Sequence, residues 1–382
     1  MKLPVYLDNA ATTPLDLQVA DRMLSHLTGE GRFGNPAAIN HALGRSARDA
    51  VEEARTQVAD LISARPQQII WTSGATESIN LALKGAARNA RIKGNHLVTL
   101  ATEHKAGIDV CEALAREGFE LTVLTPDPDG ILKLDNLARA LRPGTILISV
   151  MHVNNETGVI QNIAEMGRLT RERNILLHVD AAQSAGKLPI DVEEYNVDLM
   201  SLSAHKVYGP KGVGALFFRD RGILGDQALI HGGGHEQGLR AGTLATHQIV
   251  GMGAAFSLAG INMEIDYEKL SRLKNKLWSG LSKIEGAWVN CMAARTAPAI
   301  LNIGIEGIDS EDLLLEMDTV ALSTGAACSS ILQEPSHVLR ALGLSDESIA
   351  STLRLSLGRF TTEEEIDYAI TAITNAADLL RG

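Results

Sequence analysis

Two stretches decide the fold class: Ile175-Leu176-Leu177-His178-Val179-Asp180, and Val197-Asp198-Leu199-Met200-Ser201-Leu202-Ser203, which runs directly into Ala204-His205-Lys206. Each is a nearly continuous apolar run of strand length that closes on a residue able to do chemistry. Five more runs share this character, at 68–72, 96–101, 120–125, 145–153 and 213–218. Helix-period segments separate several of them. Residues 163–173 are one, and upstream Ala47, Val51, Ala54, Val58 and Leu61 recur at 4-3-4-3 spacing along one helix face. Short strands that are apolar on both sides and joined by helical crossovers build a mainly parallel sheet buried on both faces. The chain is therefore expected to be α/β.

The 382 residues are 45% hydrophobic and 21% charged, an ordinary globular balance long enough for two to three domains at about 150 residues each. A net charge of −11 disfavours nucleic-acid binding. No apolar run reaches the ~18 residues of a membrane helix, and Pro4 and Asp8 stand where a signal peptide needs apolar residues. Three cysteines, Cys111, Cys291 and Cys328, make neither a disulfide framework nor a four-ligand zinc site. The expectation is a soluble, reduced, cytoplasmic protein without a metal. The texture changes near Gly260. An amphipathic helix is expected over 266–284, then short strands over 288–292 and 299–305. A last helix opens on the capping box Thr362/Glu365 and buries Ile366, Ile370, Ile373, Ala377 and Leu380. A boundary near residue 262 separates the large unit from a smaller α+β one.

Ligands of open parallel sheets bind beyond the carboxyl ends of the strands. After the first run come Thr72-Ser73-Gly74-Ala75-Thr76-Glu77-Ser78, small residues at a helix start that suit an anion, or an ordinary N-cap loop. Asp180 closes a buried strand, where it needs a cationic or N–H partner or serves as a helix cap. Lys206 follows another buried strand. Desolvation would turn its amine into a nucleophile, whereas a solvated loop lysine would not react. His104 ends a third run and is either structural or a flat ring to stack on a planar group. An anion site, a buried acid, a lysine and a stacking ring are together the demands of pyridoxal phosphate.

Two further residues stand apart. Cys328 sits among small residues, Ser323-Thr324-Gly325-Ala326-Ala327-Cys328-Ser329-Ser330, a pattern of an accessible loop thiol, unlike Cys111 within its apolar helix pattern. Arg354 interrupts the alternating Leu353-Arg354-Leu355-Ser356-Leu357, either to clamp a carboxylate or as an edge-strand surface charge.

Across its whole length the chain resembles cysteine desulfurases of the NifS/IscS type, class V aminotransferase-like enzymes of pyridoxal-phosphate fold type I. The resemblance rests on Tyr6-Leu7-Asp8-Asn9-Ala10-Ala11-Thr12-Thr13, Gly74-Ala75-Thr76-Glu77-Ser78, His152-Val153-Asn154-Asn155-Glu156 and Ser203-Ala204-His205-Lys206. His231-Gly232-Gly233-Gly234-His235-Glu236, Ala326-Ala327-Cys328-Ser329 and Leu357-Gly358-Arg359-Phe360-Thr361 add to it. It implies a large domain over 16–262 and a small one from 1–15 and 263–382. It implies that Lys206 anchors the cofactor aldehyde, Asp180 meets the pyridine nitrogen, His104 stacks on the ring, and Asn155 and Gln183 bond around it. Ala75, Thr76, Ser203 and His205 would hold the phosphate, with Thr243 reaching the phosphate of the neighbouring subunit of a homodimer. Arg354, with Asn155, would bind the substrate carboxylate, and Cys328 would take the sulfur of L-cysteine as a persulfide. The sulfur would then pass to an acceptor protein, an iron–sulfur scaffold or a tRNA-thiolation relay.

The resemblance has three departures. The chain ends at Gly382 where the housekeeping members continue into a scaffold-docking tail, has only Arg219 and Arg221 in place of a dense basic stretch, and reads Ile39-Asn40-His41 after its GNPA segment. These bear on partners, because rim charges select them. A selenocysteine lyase shares every residue named, whereas an aminotransferase has no use for Cys328. A nucleotide-binding scaffold built on Gly232-Gly233-Gly234 lacks any Walker or Rossmann context. A metal pair of His231 and His235 would need a helix that three glycines oppose.

Overall fold

The computed structural model describes residues 2–29, 31–292, 295–324 and 335–382. The seven apolar runs form one sheet: β1 (Ile69–Thr72), β2 (His96–Leu100), β3 (Glu120–Leu124), β4 (Thr145–Met151), β5 (Leu176–Asp180), β6 (Leu199–Ser203) and β7 (Gly214–Phe218). Their order is β1-β7-β6-β5-β4-β2-β3. Pairings among β3, β2, β4, β5 and β6 are parallel, and β7 lies antiparallel to both β6 and β1. Only β7 therefore runs against the rest, and the carboxyl ends of β1, β2, β4, β5 and β6 share one edge.

Both faces are buried. Met200, Leu202, Ala215 and Phe217 enter a core with Val179 and Phe256, while Leu199, Leu216 and Phe218 enter the opposite core with Leu81 and Leu83. Polar residues inside the sheet are bonded to one another across its strands. His178 on β5 lies between Ser149 on β4 and Ser201 on β6, and each hydroxyl is 2.9 Å from a ring nitrogen. Burial pushes this imidazole down to about 3, so it is a neutral cross-strand link.

A second, antiparallel sheet has the order β10-β11-β9-β8, with β8 (Ala287–Val289), β9 (Ile300–Ile305), β10 (Ser323–Thr324) and β11 (Thr352–Ser356). Its core takes in Val5, Leu7 and Ala10 from the start of the chain together with Ile366, Ala369, Ile373 and Ala377 of the last helix, Glu363–Arg381. That helix has the expected capping box, but Leu380, in its final turn beyond the last residue that meets the core, is 37% exposed. β11 lies between β10 and β9, so the edge-strand alternative for Arg354 does not hold.

The largest departure from expectation is a single helix of 36 residues, Thr246–Leu281, where only 266–284 was expected to be helical. Ile249, Met252, Phe256 and Ala259 pack in the first core, and Leu270, Leu273, Leu277 and Leu281 in the second. Residue 262 thus falls inside one continuous element. Gly251, Gly253 and Gly260, which suggest a break, are contact points instead. A Cβ on Gly253 would lie 2.6 Å from the Cα of Ala54 on helix α1 (Ala42–Leu61). Among the described residues no helix is long and apolar enough to cross a membrane.

Gly253→Ala tests this contact. Helix propensity alone favours alanine by about 1 kcal/mol. Overpacking against the α1 backbone costs about 1–3 kcal/mol, so the thermal midpoint should fall. A raised midpoint in a melting experiment would show that the two helices can part at no cost.

Candidate active site

At the shared carboxyl edge lies a cleft of about 650 Å³. At one end, β1 closes on Thr72, and Ser73 and Gly74 lead into helix α2 (Ala75–Ala90). Gly74 has φ +154 and caps the helix with no side chain, so the first N–H groups of α2 are left for a ligand. Backbone approach is close here: a Cβ on Gly214 would lie 2.6 Å from the Cα of Gly74. Ala75, Thr76, Ser203 and His205 line this end. His205 Nδ1 is 3.1 Å from the hydroxyl of Thr12. Burial, followed by Lys206, Lys211 and Lys187, pulls its pKa down to about 4, so the ring is neutral.

Lys206 stands at the end of β6 in a single 3-10 turn, Ala204–Lys206. Its ammonium donates to the carbonyl oxygens of Ala10 and Ala11, both at 2.6 Å. Burial above all, with the Arg354 charge beside it, lowers its pKa to about 8 against the pull of Asp8 and Asp180. Asp180 closes β5, 5% exposed, and accepts the N–H of Ala182 at 2.9 Å. Burial raises its pKa above the ordinary carboxylate value, although the Ala182 N–H, His104 and Lys206 all act the other way. A cationic ring nitrogen beside it would relieve that cost.

His104 caps helix α3 (Lys105–Arg116), its Nδ1 accepting the N–H of Ala106 at 3.1 Å. Its ring is open to the cleft, yet the surrounding protein lowers its pKa, with desolvation as the main cause and Asp180 opposing. Gln183 donates to the Ala10 carbonyl at 2.8 Å and accepts from Lys187 at 3.0 Å. Asn155 carries a buried Oδ1 without a partner among the described residues. At the far end, Arg354 donates to the Asn155 carbonyl at 3.1 Å and, through one nitrogen, to Asp8 and Ser323 at 2.7 Å each. Its Nε is buried and has no partner among the described residues.

Ala75, Thr76, His104, Asn155, Asp180, Gln183, Ser203, His205, Lys206 and Arg354 therefore share one cleft. Thr243 does not join them. It is exposed, on a loop that Arg240 ties to Glu77 at 3.0 Å. Cys328 lies outside the described residues. Cleft residues that escaped sequence reasoning as site groups include Glu156, Asn302 and His337, as did Asp8, which meets the site through its bond to Arg354. Asp8 and Glu156 stand inside quoted motifs, whereas His337 has no pattern around it. A larger hollow of about 840 Å³ opens at the opposite edge of the sheet, by Lys93, Thr145 and Leu176, and holds none of these groups.

The family described as Aminotransferase class-V matches residues 5–369. The cysteine desulfurase IscS of Shewanella loihica is 53% identical over 381 residues, covering 100% of this chain and 94% of that protein. The chain belongs to the class-V aminotransferase family, among its cysteine desulfurases. A solved NifS-like protein has a TM-score of 0.91 at 34% identity, over 99% of this chain and 100% of that one. A structure described as SspA in complex with cysteine has a TM-score of 0.82 at 37% identity, over 94% and 99%. The family uses pyridoxal phosphate, and the cleft fits it, with an uncapped helix start, a buried acid, a depressed lysine and the orphaned amide oxygen of Asn155 in one cavity.

An amine with a pKa near 8 attacks an aldehyde only when deprotonated, so its rate rises with pH and levels off above that value. The cofactor-free protein should capture pyridoxal phosphate with a midpoint near pH 8 in stopped-flow absorbance. A midpoint near 10.5, the value of a free lysine, would mean that the lysine is not desolvated.

Proposed function

We propose that this cleft converts L-cysteine to L-alanine and passes the sulfur to Cys328. The carrying observation is the depressed amine of Lys206, set between Asp180 and Arg354 in one cavity. The bound cofactor withdraws electrons from the substrate's α-carbon, which makes the bonds at that carbon and the next labile. The chain's own residues do the rest. Helix α2, Thr76, Ser203 and His205 hold the phosphate, Asp180 keeps the pyridine nitrogen charged, and His104 covers the ring. Asn155 and Gln183 bond around the ring, and Arg354 with Asn155 receives the carboxylate. Lys206 would anchor the aldehyde, and its amine, with a pKa near 8, can hold or release a proton near neutral pH.

The assignment of sulfur to Cys328 is supported by the other two thiols. Cys111 and Cys291 are buried, and burial pushes both up to about 12, so neither is a thiolate near neutral pH. The segment containing Cys328 is flanked by residues at the cleft itself, Ser323 and Thr324 before it and His337 after it. Thr243, absent from its own cleft and exposed, supports a homodimer in which it serves the partner's phosphate. The reading keeps units 16–262 and 1–15 with 263–382, an acceptor protein of an iron–sulfur scaffold or tRNA-thiolation type, and a cytoplasmic setting.

Cys328→Ser should retain colour and the spectral change on adding L-cysteine, because neither needs the thiol. Its sulfide release should fall by a large factor, about 100-fold or more, since a hydroxyl cannot form a persulfide. Mass spectrometry of the unmutated protein after L-cysteine, without reductant, should show one added sulfur on the Cys328 peptide. Sulfide release by Cys328→Ser at the starting rate would favour a lyase acting on the substrate directly. Lys206→Ala should bind the cofactor, yet borohydride should not fix it to the chain. Fixation would make another lysine the anchor.

A further inference from the structure

Three histidines line the cleft, and backbone groups hold two of them, His104 and His337, in opposite tautomers. The N–H of Ala106 can only donate, so Nδ1 of His104 holds a lone pair and Nε2 carries the hydrogen of the neutral ring. His337 begins the short helix His337–Ala341, and its Nε2 is 2.9 Å from the carbonyl oxygen of Glu103. A carbonyl can only accept, so Nε2 of His337 is the protonated nitrogen and Nδ1 holds the lone pair. None of the hydrogen bonds among the described residues uses that Nδ1. One ring thus offers N–H and the other a bare base.

The ring of His337 is held from two sides. Ser336 donates to the carboxylate of Glu156 at 2.5 Å and accepts the N–H of Leu339 at 3.1 Å. The Glu103 that supplies the carbonyl is 2% exposed and accepts the N–H of Met151 at 2.9 Å. Three other candidate bases are occupied. Asp8 pairs with Arg354, Glu156 accepts from Ser336, and His205 is turned toward Thr12 at the phosphate end. A cysteine thiol has a pKa of about 8.5, so most of it is protonated at neutral pH and a base is needed.

We propose that His337 is a catalytic proton carrier for the sulfur of the substrate, an assignment that rests on the cysteine desulfurase function proposed above. Nδ1 takes the proton from the substrate sulfhydryl and the ring becomes an imidazolium. The acceptor thiolate then forms a sulfur–sulfur bond with that sulfur. The carbon–sulfur bond breaks with its electron pair left on carbon. The imidazolium returns its proton to that carbon, completing the methyl group of alanine and restoring the neutral ring. No outside oxidant or reductant is needed, since the acceptor sulfur is oxidised as the carbon is reduced.

The decisive variant is His337→Gln, whose amide can still donate to the Glu103 carbonyl but cannot carry a proton. Its cofactor absorbance and its spectral change on binding L-cysteine should match those of the unmutated protein. Alanine formation should fall about 100-fold or more in kcat with KM unchanged, as for loss of a general acid–base. His337→Ala should show the same loss, and added imidazole should restore part of it. A His337→Gln loss smaller than tenfold, or one carried by KM, would overturn the proposal and leave His337 a packing residue. If the unmutated protein makes no alanine from L-cysteine, the desulfurase function itself fails, a distinguishable outcome.

Discussion

The contact on which the rest depends is the ammonium of Lys206 against the carbonyl oxygens of Ala10 and Ala11. A cation at the end of a buried strand must be compensated, and here the compensation comes from backbone far away in sequence. The start of the chain is thereby drawn across the carboxyl edge of the large sheet. Thr13 adds a second stitch, its N–H donating to the His205 carbonyl at 2.9 Å and its hydroxyl accepting the N–H of Tyr208 at 2.7 Å. The same segment continues into the second sheet, where Asn9 and Ala10 bond to Ser356. Burial, with the Arg354 charge beside it, still lowers the pKa of the Lys206 ammonium.

The two cores are joined in a second place, at the middle of the long helix. Arg359 donates to Asp266 at 2.7 Å and lies over the ring of Tyr208 at 4.6 Å, while the Tyr208 hydroxyl accepts its N–H. Tyr208 is two residues past Lys206, and Asp266 lies between the helix segments that serve the two cores. Burial, against the pull of Arg359, pushes the tyrosine up to about 12, so it stays a hydroxyl. A motion of the second sheet relative to the first must therefore be felt within two residues of the reactive amine.

Much of this was legible because strands buried on both faces leave continuous apolar runs, and their ends are where ligands bind. All four strand-end loops singled out by composition converge on the cleft. The long helix was missed because its glycines are also breaking signals, and only the partner helix shows that they are contacts. Asp8 and His337 were missed because their roles arise from pairing over more than 200 residues of sequence, with Arg354 and with Glu103, and no periodicity encodes that. Thr243 was named through resemblance, and it lies exposed outside the cleft.

Arg354 carries the last step. Its guanidinium lowers the pKa of Lys206, and Asp8, bound to it, raises it. With Asp8 at 2.7 Å the charge is largely neutralised toward the second sheet, yet Nε remains without a partner among the described residues. A guanidinium has five N–H donors, so one nitrogen bonded to Asp8 and Ser323 leaves others for a ligand carboxylate. Substrate binding would then place a second anion on a cation already paired, and the net negative charge near Lys206 would favour its protonated form. The same event that fills the cleft thus favours the proton-holding form of the displaced lysine.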